Sequence, residues 1–270
     1  MNNASHLYLN LLKNTLTNSI YGQYEYREIS PKQWWKRKVY FLIKLFNLTL
    51  IRLTPMKPHL RLFGKDTPQY AHTMIGLKRL NNIQLCAENI LKDNIKGDFI
   101  EAGVWRGGST IFMRGIFKAL DIKNRIVWVA DSFQGCPFPN AIKYPRDRNS
   151  NLYQIDVLNV PLKEVQSNFK RYGLLDKQVR FIEGWFKDTL PDAPIKSLSL
   201  IRLDGDLYES TMDSLISLYP KLSIGGYIII DDFNCYSYCR QAVLDYRKQH
   251  NIKEKIITID WSAVYWRKMG

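Results

Sequence analysis

From about residue 98 onward, short apolar runs alternate with helical stretches, and this alternation limits the possible folds more than any other feature of the chain. Strand 99–104 leads to helix 107–120. Strand 126–131 (IVWVAD) is followed by a loop rich in Pro, Asn and charge that runs to about residue 160. Helix 161–172 leads to strand 179–184 (VRFIEG), strand 198–204 to helix 208–221, and strand 226–231 to helix 236–249. Two last segments, IITID and AVYWRK, are separated by only a short turn. Five βα units and a terminal strand pair predict an α/β fold: a doubly wound, Rossmann-like sheet of seven strands with the last one antiparallel.

The strand ends carry acid and glycine. LSLIRLDGD ends in Asp204 and Asp206, GGYIIIDDF in Asp231 and Asp232, and DFIEAGVWRGGST runs through Glu101 into a glycine-rich turn. Open parallel sheets bind ligands beyond the carboxyl ends of their strands, so these ends predict one crevice. Gly103, Gly107 and Gly108 allow a tight turn and close approach of backbone to a ligand. Their spacing is not the G-x-G-x-x-G of dinucleotide enzymes. A carboxylate at Glu101 repels phosphates and suits a cationic ligand such as S-adenosylmethionine, with its sulfonium and ammonium. The competing reading is a plain glycine turn that caps a helix. Asp131, at the end of VWVADSFQG, is placed to accept both ribose hydroxyls. An N-cap role competes, but no helix pattern follows at once. In RFIEGWFKDTLP, Gly184, Trp185 and Phe186 are expected as flat or apolar adenine contacts and Asp188 as a polar one. Aromatic residues here also suit a core.

Asp204, Asp231 and Asp232 lie on two strand ends that are about 5 Å apart if the strands are neighbours. Carboxylates that close repel unless a cation sits among them, and hard oxygen donors favour Mg²⁺. The competing reading makes Asp232 a helix cap and Asp204 a local hydrogen-bond acceptor. A bound metal would lower the pKa of a substrate hydroxyl, and a carboxylate would take its proton. The oxygen would then displace the methyl group from the sulfonium, in line.

Composition bounds the remaining choices. The chain has 270 residues, 46% hydrophobic and 24% charged, which suits one large domain with an appendage. Its four cysteines (Cys86, Cys136, Cys235, Cys239) form no disulfide-like pattern. Cys235 and Cys239 lack partners for a zinc site and read as buried or idle thiols. With no basic-then-apolar leader, a cytoplasmic location is expected. Of the net charge of +14, about +8 sits in residues 1–64, which hold ten Lys or Arg and two acids. We therefore divide the chain into a basic, apolar helical extension (1–64) and a catalytic domain (65–270). The run from Val39 to Leu53 is about fifteen residues and is broken by Lys44 and Arg52. A spanning helix needs about twenty apolar residues. An amphipathic helix headed by Trp34, Trp35, Lys36, Arg37 and Lys38 is expected instead. It would pack on its own domain or a second subunit, or touch a membrane peripherally through residues 30–55. Residues 70–92 are expected to be helical.

Several blocks carry a family resemblance. DFIEAGVWRGGSTIFMRG, VWVADSFQG, NFKRYGLLDKQVRFIEGWFKDTLP, LIRLDGDLYESTMDSL and GGYIIIDDF, with CRQAV and VYWRK, resemble the macrocin O-methyltransferase family (TylF type) over roughly residues 70–268. The resemblance implies a class I methyltransferase sheet and a Mg²⁺- and S-adenosylmethionine-dependent enzyme acting on sugar hydroxyls of natural products. It places the metal on Asp204, Asp231 and Asp232 and makes Asp204 the base as well. It places cofactor contacts at Thr73, Met74, Glu101, Gly103, Ser109, Asp131 and Ser132. It also implies homo-oligomers. The related catechol-type enzymes keep a lysine three residues after the first metal aspartate; here that place is Leu207, so a lysine base on that pattern is excluded. The first 64 residues and the loop 134–160 lie outside the motifs, and His72 could contact substrate. Two other readings compete: an interaction or membrane-associated protein using the basic arm, and an O-methyltransferase for a non-sugar small molecule. A nucleic-acid substrate is disfavoured, because the remaining 206 residues carry only +6.

Overall fold

A computed structural model describes every residue except Met1, Gly22, Ser30 and Lys32. In chain order the elements begin with α1 (Asn3–Leu16), β1 (Tyr24–Glu28), α2 (Trp34–Leu45), β2 (Ile51–Pro55), α3 (Pro58–Leu62) and α4 (Gly76–Lys92). They continue with β3 (Asp98–Ala102), α5 (Gly108–Ala119), β4 (Val127–Asp131), α6 (Leu162–Arg171), β5 (Val179–Glu183), α7 (Phe186–Thr189) and β6 (Leu198–Leu203). The last are α8 (Tyr208–Leu218), β7 (Leu222–Ile230), α9 (Ser237–Gln249), β8 (Ile257–Thr258) and β9 (Val264–Arg267).

Seven strands form one sheet in the order β5-β4-β3-β6-β7-β9-β8. The first five are mutually parallel, and β9 runs antiparallel to both β7 and β8. This is the doubly wound sheet expected from the βα alternation. Strand order reverses between β3 and β6, so the ligand crevice belongs at their carboxyl ends. Helices cover both faces, which is why β6 is buried along its whole length.

The N-terminal segment divides physically in two. Helix α1 belongs to the core: Leu9, Leu12 and Leu16 are buried in the cluster that includes Ile111, Phe112 and Ile116 of α5. A Cβ added at Gly115 would lie 2.3 Å from Leu12 Cδ2, so the glycine lets the two helices meet closely. Lys13 Nζ donates to Asn81 Oδ1 (2.7 Å) and Gln84 Oε1 (2.9 Å), which ties α1 to α4. By contrast, no residue of α2 is buried, and Trp34, Trp35, Phe41, Leu42 and Leu45 are all exposed.

Three local expectations are corrected. The amphipathic helix does not run to Leu53: Asn47, left-handed at φ 56°, follows its end, and Ile51–Pro55 is a strand paired antiparallel with β1. The helix expected at 70–92 begins only at Gly76 (φ 75°), which leaves Thr73 and Met74 in the preceding turn. Helix α8 stops at Leu218 because Pro220 cannot continue it, and a single 3-10 turn, Tyr219–Lys221, follows. No helix among the described residues is long and apolar enough to cross a membrane.

Candidate active site

A cavity of about 940 Å³ opens over the carboxyl ends of the central strands. Its volume lies near the top of the range for small-molecule sites, roughly 300–1,000 Å³. Non-glycine residues in left-handed conformation follow three of these strands: Trp105 (φ 49°) after β3, Phe133 (φ 55°) after β4 and Asp206 (φ 57°) after β6. Such conformations cost about 1–3 kcal/mol each and gather where a site over-determines them.

The cofactor half is built on β3, β4 and the turn after β5. Glu101 is fully buried at the end of β3. Its Oε1 accepts from Ser109 Oγ and from Arg202 Nη1. Its Oε2 is buried without a hydrogen-bond partner. Burial pushes the Glu101 carboxyl up to about 7, against the pull of Arg202 and Ser109. A buried acceptor left open in a cavity wall fits a ligand that brings a donor, such as an ammonium group.

Gly103 (φ 91°) has a packing reason as well: a Cβ there would lie 1.9 Å from the backbone oxygen of Asp204. It is the point where the β3 and β6 ends touch. Gly107 (φ 83°) is the N-cap of α5, and Gly108 sits under the backbone oxygen of His72, from which a Cβ would be 2.3 Å.

Asp131 accepts from Val104 N (2.7 Å) and Phe133 N (2.8 Å). Burial raises its carboxyl, with those backbone donors opposing. Ser132 Oγ donates to Gly135 O (2.8 Å) and so holds the turn that follows. Thr73, Met74, Glu101, Gly103, Ser109, Asp131, Ser132, Gly184, Trp185 and Phe186 all line the cavity. Asp188 does not: it is exposed, and Lys187 takes a place in the wall instead. The short helix α7 carries Asp188 round to the solvent side.

The acidic half follows from the two-residue period of strands. Glu101 and Arg202 are partners in the β3–β6 register, and Arg202 pairs in register with Ile229 of β7. Two residues on, Asp204 and Asp231 leave the sheet on the same side as Arg202. Arg202 is fully buried and donates from Nη1 to Glu101 and to Asp204 Oδ2 (2.9 Å), and from Nη2 to Asp231 Oδ1. From α4, Arg79 Nη1 reaches Asp231 Oδ2, while its Nε donates to Asp260 Oδ2 (2.8 Å).

Both oxygens of Asp231 thus face guanidinium groups. Among the described residues, the carboxylates that converge are Asp204, Asp206 and Asp232, whose ligand atoms lie within 4.8 Å of one another, and of these Asp204 shares Arg202 with Asp231. This group includes Asp206, and Asp231, expected as a ligand, lies outside it with both oxygens on arginines. Burial first, then the charges of Asp204 and Asp231, push Asp206 up to about 8. Asp232 is raised well above the carboxylate range by burial and by Asp206, Asp204 and Asp231. Three oxygen donors that repel one another form a donor set suited to a hard divalent cation.

The other candidates fall outside the chemistry. His72 Nδ1 pairs with Tyr172 OH at 2.7 Å, and burial, with Arg171 and Arg106 nearby, lowers the ring to about 4. His72 is a neutral structural ring that does not line the cavity. Leu207 is buried, and all four cysteines are free. The loop 134–160 forms much of the cavity's outer wall, including Phe138, Ile142, Ile155 and Val157. It is fastened by Asp147, which is fully buried and accepts from Tyr208 N (2.8 Å) and Glu209 N (3.0 Å) at the start of α8.

Sequence reasoning passed over Arg202, Arg79, Asp206 and Asp147 as functional residues. Arg202 had a signal, because an arginine inside the apolar run LSLIRL must find buried acid. Asp206 had one too, as the second acid of the same turn.

The chain matches the macrocin-O-methyltransferase (TylF) family over residues 5–268. It is 46% identical over 268 residues to demethyldecarbamoylnovobiocin O-methyltransferase of Streptomyces niveus, covering 99% of this chain and 95% of the relative. It is 48% identical over 265 residues to mycinamicin III 3''-O-methyltransferase of Micromonospora griseorubida, covering 97% and 96%. It is 49% identical over 265 residues to 8-demethyl-8-(2,3-dimethoxy-alpha-L-rhamnosyl)-tetracenomycin-C 4'-O-methyltransferase of Streptomyces olivaceus, covering 98% and 93%. The solved O-methyltransferase NovP superposes with a TM-score of 0.85 at 44% identity, covering 98% of this chain and all of NovP. The calicheamicin methyltransferase CalS11, at 16% identity and a TM-score of 0.58, shares the fold. With the βα order, the glycine turn and nearly the whole chain in agreement, the protein belongs to the macrocin O-methyltransferase family of S-adenosylmethionine-dependent O-methyltransferases.

Proposed function

We propose that this O-methyltransferase acts on a hydroxyl of a sugar or glycosylated natural product and depends on a divalent ion, most naturally Mg²⁺. One observation carries the reading. A single cavity has an open buried carboxylate oxygen on Glu101 at one end and the converging Asp204–Asp206–Asp232 group, with only a shared guanidinium against it, at the other. A cationic methyl donor and a hard metal suit these two ends. The sugar acceptor is supported by the names of two relatives, which specify a 3'' hydroxyl of mycinamicin III and a 4' hydroxyl of a rhamnosyl-tetracenomycin.

When bound, S-adenosylmethionine supplies an electrophilic methyl group and the metal supplies Lewis acidity toward the acceptor hydroxyl. The chain does the rest. Glu101 Oε2, buried without a partner, would accept from the cofactor's ammonium. Asp131 keeps lone pairs for the ribose hydroxyls beside its two backbone donors. Trp185 and Phe186, in the cavity wall, would flank the adenine. Asp204, Asp206 and Asp232 are the metal donors, and Asp231 orients the site from behind through Arg79 and Arg202. Asp204 has one oxygen held by Arg202 and offers the other to the acceptor's proton. With the cofactor bound, Asp204 would take the proton that the acceptor hydroxyl gives up on methylation, the cofactor leaving as the neutral thioether. The wall of Phe138, Ile142, Ile155 and Val157 gives an apolar aglycone a surface to rest on.

The test is methyl transfer from isotope-labelled S-adenosylmethionine to purified glycosides, with Mg²⁺ and with EDTA. Label is expected on a sugar hydroxyl only with the metal. Full turnover in EDTA would remove the metal from the reading, and transfer confined to non-glycosylated phenols would remove the sugar.

A further inference from the structure

Nothing in the structure shows what covers the exposed apolar helix α2, but the buried charge of Arg202 has all its partners in view. This guanidinium sits in the middle strand of a sheet covered on both faces, where a charge costs several kcal/mol unless paired. It has more partners than neutrality needs. One nitrogen, Nη1, serves both Glu101 on the cofactor side and Asp204 on the metal side, and Nη2 serves Asp231. One positive charge is divided among three carboxylates, and two of these are the residues through which the two halves of the cavity would hold their ligands.

We propose that Arg202 is a positioning residue that couples cofactor binding to metal binding by sharing one guanidinium between Glu101 and Asp204. The inference rests on the proposed cofactor and metal sites. When a divalent ion engages Asp204, the charge of Arg202 is left to Glu101 and Asp231. Glu101 is then more fully neutralised and holds an ammonium less strongly. By reciprocity, an ammonium at Glu101 frees Arg202 toward Asp204 and weakens the metal by the same factor. Arg79 does not substitute for this, because it contacts Asp231 and Asp260 but not Glu101. The arrangement also has a use in the reaction cycle, since each bound cation loosens the other and so favours release after transfer.

The experiment is calorimetry of S-adenosylhomocysteine binding to the full chain, first in EDTA and then in saturating Mg²⁺. This product keeps the ammonium but lacks the sulfonium charge. Mg²⁺ binding is titrated separately. In the unaltered protein, Mg²⁺ is expected to raise the Kd for S-adenosylhomocysteine by at least about fivefold, the lower end of ordinary site-to-site coupling. Arg202→Lys keeps the charge but cannot fork to three carboxylates. It should bind each ligand alone, with the ratio falling to within about twofold of one. Glu101→Gln keeps Arg202 and removes one competitor, so it should collapse the same ratio even where Arg202→Lys fails to fold. An unchanged ratio in the folded variants overturns the coupling. Absence of Mg²⁺ binding to the unaltered protein is a separate failure, that of the metal reading, and it takes the inference with it.

Discussion

Asp147 is the hinge pin between the outer wall of the cavity and the helix behind the metal turn, and its removal has a calculable effect. Its two carboxylate oxygens accept from Tyr208 N (2.8 Å) and Glu209 N (3.0 Å), so a residue of the 134–160 loop caps α8 from a distance. Asp147→Asn keeps the shape but leaves only one acceptor oxygen for two backbone donors. One buried N–H is orphaned, at about 1–3 kcal/mol. A negative charge is also lost from a helix N-terminus, at about 0.3–1 kcal/mol. The loop's docking should weaken by about 2–3 kcal/mol, or roughly 30- to 150-fold in its opening equilibrium. Hydrogen exchange should show faster amides at Tyr208 and Glu209, and limited proteolysis should cut between residues 134 and 160. If the loss carries through to global unfolding, Tm falls by about 4–12 °C. The turnover of acceptor should suffer too, because the same helix starts two residues after Asp206. Unchanged exchange at both amides, with an intact loop under protease, would refute the cap as the loop's anchor.

Three further outcomes are expected. Asp232→Asn should abolish the rise in Tm that Mg²⁺ gives the unaltered protein, because it removes one of the three proposed metal donors; a Mg²⁺-dependent rise that survives the substitution counts against that donor set. In EDTA, stability should fall as pH rises from about 4 to about 8: folded Asp206 keeps its proton up to about 8, whereas an unfolded aspartate loses it near 3.9, so the native state binds more protons across that window. Mg²⁺ should flatten this slope, and parallel Tm curves with and without the metal would sink the assignment. Gly103→Ala should damage both halves at once, since its Cβ would fall 1.9 Å from Asp204 O at a backbone φ of 91°; weaker binding of both S-adenosylhomocysteine and Mg²⁺ is expected, and unaltered affinities would show that the β3 and β6 ends are not locked together there.

The parts of the site legible in the sequence were those fixed by position along a strand. Glu101, Asp131, Asp204 and Asp232 end strands, and a parallel sheet brings strand ends to one edge whatever else the chain does. The division of labour among the acids was not legible, because it depends on which side of the sheet each leaves. Asp231 and Asp232 are neighbours in sequence yet face different partners, two arginines for one and two aspartates for the other. Asp206 joins the group because a left-handed turn at a non-glycine residue swings it back, and sequence pattern does not announce such a turn. Arg79 and Asp147 come from segments more than fifty residues away from their partners, so only the tertiary fold brings them in. The N-terminal segment divides for a related reason: α1 and α2 both carry apolar residues, and it takes the tertiary fold, with Leu9, Leu12 and Leu16 buried and Leu12 close against Gly115, to place α1 in the core.

The charge of the site runs against that of the chain. A protein of net charge +14 gathers six carboxylates at one sheet edge (Glu101, Asp204, Asp206, Asp231, Asp232 and Asp260) around only two guanidinium groups, Arg79 and Arg202. The two arginines do not neutralise the group. Arg79 pairs Asp231 and Asp260, and Arg202 divides its charge among Glu101, Asp204 and Asp231, so Asp206 and Asp232 lie beside Asp204 with no ion pair of their own among the described residues. In the function proposed above, a divalent ion would meet the three aspartates and a cationic cofactor the open oxygen of Glu101. Arg202 stands between these two positions with one charge for both, and this sharing is the geometry on which the proposed coupling rests.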